Sequence, residues 1–321
     1  MAEKPVVFVT RRLPEAVEAR LQRDFAPRLN PDDVQPSAEQ TIAGCAGAAA
    51  LLPCPTDKLT PELIAGLPDS IKIIATFSVG YDHINLPAAK ERGIIVTNTP
   101  GVLTDATADI AMLLMLGAAR RAGEGEHLMR TRSWAGWAPT HMMGQHVSGK
   151  AVGIVGMGRI GQAFADRCRA FGMTIHYHSR SPKAEEDAKG AHYHGDLEEM
   201  LGQVDVLSLH CPSTAETRKL LNAERLAKLP PHAIVVNTAR GDVVDDDALV
   251  QALKDGVIAG AGLDVYTGEP KVHAGYADLA NTFLLPHLGS ATIETRNAMG
   301  FKALDNLDDY FAGRPPRDRL V

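Results

Sequence analysis

Six residues constrain this chain more than any others: Gly156-Met157-Gly158-Arg159-Ile160-Gly161. The spacing G-x-G-x-x-G is weak alone, but here it follows the apolar run Ala151-Val152-Gly153-Ile154-Val155 and opens a helical stretch over 162–171. Strand, tight glycine turn and helix in that order form a dinucleotide-binding fingerprint. Gly156 permits the tight turn, Gly158 lets backbone approach a pyrophosphate, and Gly161 lets helix and strand pack closely. Arg159 and Ile160 complete the turn, and the N-terminus of the helix that follows brings N–H groups and the positive end of its dipole to the anion. A decoy nearby, Gly144 to Lys150, has the look of a phosphate-binding P-loop. Ala151 stands where that motif needs Ser or Thr, however, and the segment precedes a strand instead of following one.

The residue that reads the cofactor's ribose is expected about 20 positions after the first glycine, at the end of the next strand. That strand, Ile175-His176-Tyr177-His178, ends in Ser179-Arg180-Ser181, with no acidic residue. A carboxylate there accepts from the 2′-hydroxyl and repels a 2′-phosphate. An arginine flanked by serines does the reverse. Glu185, Glu186 and Asp187 come too late to take the acceptor's place. The expected cofactor is therefore NADP(H), with NAD(H) as the second option.

A glycine motif at residue 156 of 321 leaves a large segment ahead of it. At about 150 residues per domain the chain has room for two. Short β-rich runs alternate with helices throughout, the mark of βαβ units and parallel sheets. Strands are expected at 6–10, 48–52, 71–76 and 94–97, then at 151–155, 174–178, 204–209, 233–237, 258–263 and 282–285. Helices are expected at 14–25, from the cap Thr60-Pro61-Glu62, at 87–92, from Thr104 or Asp105, and at 293–311. Residues 133–149, rich in Trp, Pro, His, Met and Gly, read as a loop. The second series carries six strands, the number of a full dinucleotide-binding sheet.

Charge and cysteine content exclude several classes. Lys and Arg number 33 against 39 Asp and Glu, a net −6 that offers no bulk attraction to nucleic acid or anionic membrane. The longest apolar stretch, 110–119, falls short of the roughly 18 residues that span a bilayer, and Val6-Val7-Phe8-Val9 is too short for a signal-peptide core. Cys45, Cys54, Cys168 and Cys211 are scattered without C-x-x-C spacing. Reduced thiols and a cytoplasmic location are the simpler expectation. His176 and His178 share a strand face and His192 and His194 repeat the spacing, but no cysteine or carboxylate cluster completes a metal site, so no metal is expected.

No G-x-S-x-G elbow is present, which argues against a hydrolase of that type. Three ionisable residues stand at the ends of three strands instead. Arg240 ends Val235-Val236-Asn237-Thr238-Ala239, Glu269 follows the strand leading to Asp264, and His287 follows Phe283-Leu284-Leu285-Pro286. Open α/β sheets bind ligands outside the carboxyl ends of their strands, so the three converge on one crevice. Together they can bind a carboxylate, hold an imidazole and move a proton. In the first series Phe77-Ser78-Val79-Gly80-Tyr81-Asp82 follows a strand, and its glycine turn is able to present N–H groups to an anion.

With these residues the sequence resembles the D-isomer-specific 2-hydroxyacid dehydrogenases. The resemblance runs from the Ser78-Val79-Gly80-Tyr81-Asp82-His83-Ile84-Asn85 turn to Pro286-His287-Leu288-Gly289-Ser290-Ala291-Thr292. It is nearest to the bacterial NADPH-dependent glyoxylate/hydroxypyruvate reductases, through Ser179-Arg180-Ser181 and the Trp134–Trp137 loop.

The fold that this resemblance implies is two α/β parallel-sheet domains, Rossmann-like and flavodoxin-like. The substrate domain is 1–99 with 288–321. The NAD(P)-binding domain, 100–287, is inserted into it, with a dimerisation helix and loop at 104–149. The resemblance further implies a homodimer in which Trp134 or Trp137 reaches the neighbouring subunit's site. His287 is implied as proton donor, with Glu269 holding its imidazole in the protonated form. Arg240 binds and polarises the substrate, Val79 and Gly80 hold its carboxylate through N–H groups, and Ser290 meets a substrate hydroxyl. Asp264 meets the nicotinamide amide, and Thr107, Cys211, Pro212, Thr217, Thr238, Ala239 and Gly289 line the cofactor groove.

The missing acidic ribose residue departs from the NAD-specific pattern, and Glu269 stands where the formate dehydrogenase branch carries a Gln. The leading expectation is NADPH-dependent reduction of glyoxylate or hydroxypyruvate to the D-2-hydroxy acid. One alternative is a sister enzyme acting on a bulkier 2-oxo acid, such as 2-ketogluconate, or on phosphite. A remoter one is a dinucleotide-sensing binding protein like the transcriptional corepressors built on this fold, against which the absence of a tail after Val321 weighs.

Overall fold

A computed structural model describes residues 3–321. The chain divides into two compact units, one running to Leu103 and resuming over Ala291–Val321, the other spanning Thr104–Ser290. The second is therefore inserted into the first.

The first unit is built on five strands: β1 (Val6–Val9), β2 (Ala26–Arg28), β3 (Ala50–Leu52), β4 (Ile73–Ala75) and β5 (Ile95–Thr97). All pairings are parallel, in the order β2-β1-β3-β4-β5. Side-chain alternation divides the core between two faces. Val7, Val9, Ile73 and Ala75 face one layer with Leu21, Leu304 and Leu307. Phe8, Leu51, Ile74 and Val96 face the other with Ile64 and Ala89. Leu304 and Leu307 belong to the long helix Ile293–Phe311, so the returning segment completes the first face of this core. Thr292 caps that helix by accepting from the Thr295 N–H.

The inserted unit has seven strands: β6 (Ala151–Val155), β7 (Thr174–His178), β8 (His192–His194), β9 (Val206–Leu209), β10 (Ile234–Asn237), β11 (Gly260–Leu263) and β12 (Thr282–Leu284). Their order, β12-β11-β10-β9-β6-β7-β8, is again all parallel. It reverses direction at β6 and β9, the switch point at which such sheets bind dinucleotides. The helix Thr104–Ala119 lays Ala108, Ala111, Leu114 and Met115 against Val152, Ile154 and Val236. The opposite face packs Leu207, Leu209, Val235 and Leu263 under Leu201, Leu249 and Leu253.

Three expectations need correction. The second sheet has seven strands, not six: His192–His194 forms an edge strand in register with His176–His178. Three residues, two of them histidine, carry too short an apolar signal to be read as a strand. The helix after the glycine motif begins at Arg159, inside the motif, not at residue 162. The first sheet also has an edge strand over Ala26–Arg28, masked in the sequence by Pro27, which an edge position tolerates. Among the described residues no helix is long and apolar enough to cross a membrane.

The glycine turn shows why its spacing is strict. Gly156 has φ of +98°, and a Cβ on it would stand 2.7 Å from the Cys211 backbone nitrogen. A Cβ on Gly161 would stand 2.3 Å from the Gly156 carbonyl oxygen and 3.2 Å from Ile154 Cγ2. A Cβ on Gly158 would meet nothing within 4 Å, so that residue faces open space. Two glycines thus serve packing, and the third keeps backbone bare on the open side. Gly161→Ala should cost about 1–3 kcal/mol by overpacking. Urea unfolding will check this, since an unchanged midpoint would mean that the helix start shifts freely.

Candidate active site

Because every strand of the inserted sheet is parallel, their carboxyl ends lie along one edge, and most of the expected site residues fall there. At the end of β6 the Gly156 N–H donates to the His178 carbonyl at 2.8 Å, joining the glycine turn to the end of β7. Ser179, Arg180 and Ser181 follow directly. The Ser179 hydroxyl donates to the Ser181 carbonyl at 2.8 Å, and Arg180 is exposed, its charge felt by Glu216. Cys211 at the end of β9 lies against Gly156. The Thr217 hydroxyl closes the adjoining turn by donating to the Pro212 carbonyl at 2.6 Å. Thr238 and Ala239 sit at the end of β10, where the Ala239 N–H donates to Asn237 Oδ1 at 2.9 Å. A bare glycine cradle beside a helix N-terminus, followed by a strand end with an exposed arginine, fits a phosphorylated dinucleotide.

The ionisable trio lies farther along the same edge. Glu269 Oε2 meets His287 Nδ1 at 2.7 Å, and Glu269 Oε1 accepts from the Tyr266 N–H at 2.8 Å. Burial opposes ionisation of Glu269. The His287 hydrogen bond and charge, the Tyr266 N–H and the Arg240 charge outweigh it, and the carboxyl stays below its ordinary value. Arg240 is brought close by a tight backbone crossing: a Cβ on Gly241 would stand 1.9 Å from the Tyr266 carbonyl carbon. With Nδ1 engaged, the other ring nitrogen of His287 is left for chemistry, and the side chain is 44% exposed.

His287 has φ of +56°, in the left-handed region. That conformation costs a non-glycine residue roughly 1–2 kcal/mol. Asp264, 1% exposed, holds it in place. Its carbonyl accepts from the His287 N–H at 2.9 Å. Its carboxylate accepts from the N–H groups of Leu288 at 2.6 Å and Gly289 at 2.8 Å. Burial pushes the Asp264 carboxyl up, and those two N–H bonds pull against it. The Thr107 hydroxyl donates to the Gly289 carbonyl at 3.0 Å, securing the far side of the turn.

In the first unit, the turn after β4 directs its backbone in one sense. The Ser78 carbonyl accepts from the Thr99 N–H at 2.9 Å and the Val79 carbonyl from Asn98 Nδ2 at 2.7 Å. The Gly80 carbonyl accepts from the Ser78 hydroxyl at 2.6 Å. The N–H groups of Val79 and Gly80 make no hydrogen bond within the described residues. Three carbonyls turned inward leave a run of N–H groups for an anion.

Trp134 and Trp137 lie on the long loop of the inserted unit, 50% and 81% exposed. Among the described residues no group of three or more His, Cys, Asp or Glu side chains is disposed to hold a metal ion. His176 Nδ1 and His194 Nε2 instead hydrogen-bond each other at 2.9 Å.

Sequence reasoning missed Asn98, Asn237 and His210. Asn237, 1% exposed, ties both sides of the Arg240 turn, donating to the Arg240 carbonyl at 2.9 Å. A polar residue closing an otherwise apolar strand was the available signal.

The fold and this edge define a nicotinamide-dinucleotide-binding protein with an imidazole–carboxylate pair and an arginine beside the cofactor cradle. Residues 112–289 match the family described as D-isomer specific 2-hydroxyacid dehydrogenase, NAD binding domain. The chain is 45% identical over 312 residues to a glycerate dehydrogenase of Hyphomicrobium methylovorum, covering 97% of each chain. It is 44% identical over 319 residues to a glyoxylate reductase of Thermococcus litoralis, covering 98% of this chain and 96% of that one. An NADPH-dependent glyoxylate/hydroxypyruvate reductase from Sinorhizobium meliloti, solved with NADP and malonate, superposes with a TM-score of 0.90 at 36% identity, covering 99% of this chain and 97% of that one. The chain belongs to the D-isomer-specific 2-hydroxyacid dehydrogenase family.

His210, beside the glycine turn, bonds the Ser208 hydroxyl through Nε2 at 2.8 Å and the Thr238 hydroxyl through Nδ1 at 3.4 Å. Burial depresses its pKa from 6.5 to about 3. The fold thus accommodates the neutral ring while the unfolded chain takes up a proton first. The stability this contributes is full above about 6.5 and is lost as pH falls towards about 3. His210→Gln should flatten the fall in melting temperature between neutral and mildly acidic pH. A parallel profile for the variant would place the acid sensitivity elsewhere.

Proposed function

We propose that the protein reduces small 2-oxo acids, glyoxylate or hydroxypyruvate, to D-2-hydroxy acids with NADPH. The observation that carries this reading is the His287–Glu269 pair at 2.7 Å, with the Arg240 charge beside it, on the dinucleotide-binding sheet. Gly156, Gly158, Arg159, Ile160 and Gly161 would hold the pyrophosphate, and Ser179, Arg180 and Ser181 the 2′-phosphate. Cys211, Pro212, Thr217, Thr238, Ala239, Thr107 and Gly289 would line the rest of the groove, with Asp264 towards the nicotinamide amide. The bound reduced dinucleotide supplies a hydride to the carbonyl carbon.

His287, through the nitrogen not held by Glu269, gives its proton to the carbonyl oxygen as the C–O bond becomes an alcohol. Glu269 keeps the ring oriented through its bond to Nδ1. Arg240 binds the substrate carboxylate and polarises the carbonyl, offsetting the charge that develops on oxygen. The Val79 and Gly80 N–H groups are assigned to the substrate carboxylate, and Ser290 to a substrate hydroxyl.

The exposed apolar side chains Met129, Trp134, Trp137 and Met143 lie on one helix-and-loop segment of the inserted unit. We assign them to contact with a second copy of the chain, with Trp134 directed to its partner's substrate. Light scattering on the purified protein should give twice the chain mass.

His287→Ala should lower kcat/KM for glyoxylate by about 10²- to 10⁴-fold, the range of general acid catalysis, with the Kd for NADPH little changed. Retained turnover would remove His287 from the proton-donor role. Arg180→Asp should move the NADPH/NADH ratio of kcat/KM towards NADH by about tenfold or more, the worth of a charge-assisted hydrogen bond. A ratio that does not move would refute the 2′-phosphate assignment. A steady-state panel of 2-oxo acids with both cofactors tests the reading as a whole.

A further inference from the structure

The turn that presents Val79 and Gly80 is braced from behind by a hydrogen-bond chain that the reaction itself does not use. Thr76, wholly buried just after β4, is its hub. Thr76 Oγ1 lies 2.9 Å from the Ser78 hydroxyl and 2.9 Å from His83 Nε2, with the Pro53 carbonyl at 3.3 Å. The direction of the chain follows from proton counting. The Ser78 hydroxyl proton is committed to the Gly80 carbonyl at 2.6 Å. Thr76 therefore donates to Ser78, with the Pro53 carbonyl as a longer second acceptor. A hydroxyl that has given away its one proton accepts from His83, whose Nε2 then carries hydrogen. The order is His83 N–H to Thr76 O–H to Ser78 O–H to the Gly80 carbonyl. Links in one direction polarise each other.

The consequence falls on the N–H groups of the turn. Each carbonyl is conjugated with the N–H of the next residue, so a hydrogen bond to the carbonyl orients and polarises that N–H. The Thr99 N–H on the Ser78 carbonyl acts on the Val79 N–H, and Asn98 on the Val79 carbonyl acts on the Gly80 N–H. The Ser78 hydroxyl on the Gly80 carbonyl acts on the Tyr81 N–H. None of the three N–H groups donates within the described residues.

We propose that Thr76 and Ser78 are positioning residues for this anion-binding turn. With Thr99 and Asn98 on the Ser78 and Val79 carbonyls, their chain locks the Gly80 carbonyl inward, so that three successive N–H groups, of Val79, Gly80 and Tyr81, meet the substrate carboxylate. The inference rests on the reading of a 2-oxo acid as substrate and adds Tyr81 N–H to the carboxylate's donors and a cause for their shared direction. Without the chain, the Gly80 peptide is free to rotate and turn its oxygen towards the anion.

The test is Thr76→Val, which keeps shape and removes the hub, with Thr76→Ser as the conservative rescue and Ser78→Ala to cut only the last link. Thr76→Val and Ser78→Ala should each raise KM for glyoxylate about fivefold to tenfold, the worth of one hydrogen bond. The loss in kcat should be smaller, the Kd for NADPH should stay fixed, and Thr76→Ser should restore KM. Affinity for oxamate, a carboxylate that is not reduced, is measured by calorimetry on the NADPH-loaded protein and should fall in parallel. A KM and oxamate Kd unmoved in Ser78→Ala, or a Thr76→Val whose kcat falls while KM holds, overturns the proposal. If the wild type turns over no 2-oxo acid but binds oxamate and the variants weaken that binding, the substrate reading fails and the turn assignment stands. If the wild type binds no oxamate, the turn assignment fails too.

Discussion

Asp264 puts a carboxyl group where almost no water reaches it and satisfies both oxygens with backbone N–H groups of Leu288 and Gly289. Burying such a group unpaired costs several kcal/mol, so the two residues after His287 are fixed to the end of β11. His287 is thereby held at a backbone angle it would otherwise avoid, with its ring against Glu269. Glu269 is in turn aligned by the Tyr266 N–H, and the Tyr266 hydroxyl donates to the Leu263 and Leu285 carbonyls, tying the ends of β11 and β12 together. Loss of Asp264 would therefore release the turn, the imidazole and its distance from Arg240 together.

The protein handles anions while carrying a net charge of −6. It does so with short-range devices instead of a basic surface. The glycine cradle, the strand-end Arg180 and the turn after β4 each concentrate donors within one or two residues of backbone. In the carboxylate site proposed above, the Ser78–Gly80 turn brings no cation of its own and instead occupies its carbonyls internally. Such donors are fixed before the ligand arrives and need little reorganisation when charge develops.

Much of this was legible in the chain. The glycine motif, its strand and helix, the strand-end placement of Arg240, Glu269 and His287, and the alternation of two α/β units follow from residue type and spacing. The short edge strands Ala26–Arg28 and His192–His194 did not, because three residues with a proline or two histidines among them leave no periodicity to read. Asn98 and His210 were equally silent, and Asn237 showed only as a polar residue closing an apolar strand. Each looks like an ordinary polar residue near a strand end; Asn98 and His210 work on groups far away in sequence, the Val79 carbonyl and the Thr238 hydroxyl, and Asn237 on the turn that leads to Arg240.

The sequence by itself determined the fold class, the dinucleotide cradle and the identity of the ionisable trio, because those depend on local conformation and on the rule that parallel strands end along one edge. The tertiary structure decided which groups touch. Strand order set the neighbours of Gly156, the close crossing at Gly241 brought Arg240 to Glu269, and Asp264 fixed the turn of His287. Those relations are distances between residues remote in the chain, and only packing of the whole sheet can set them.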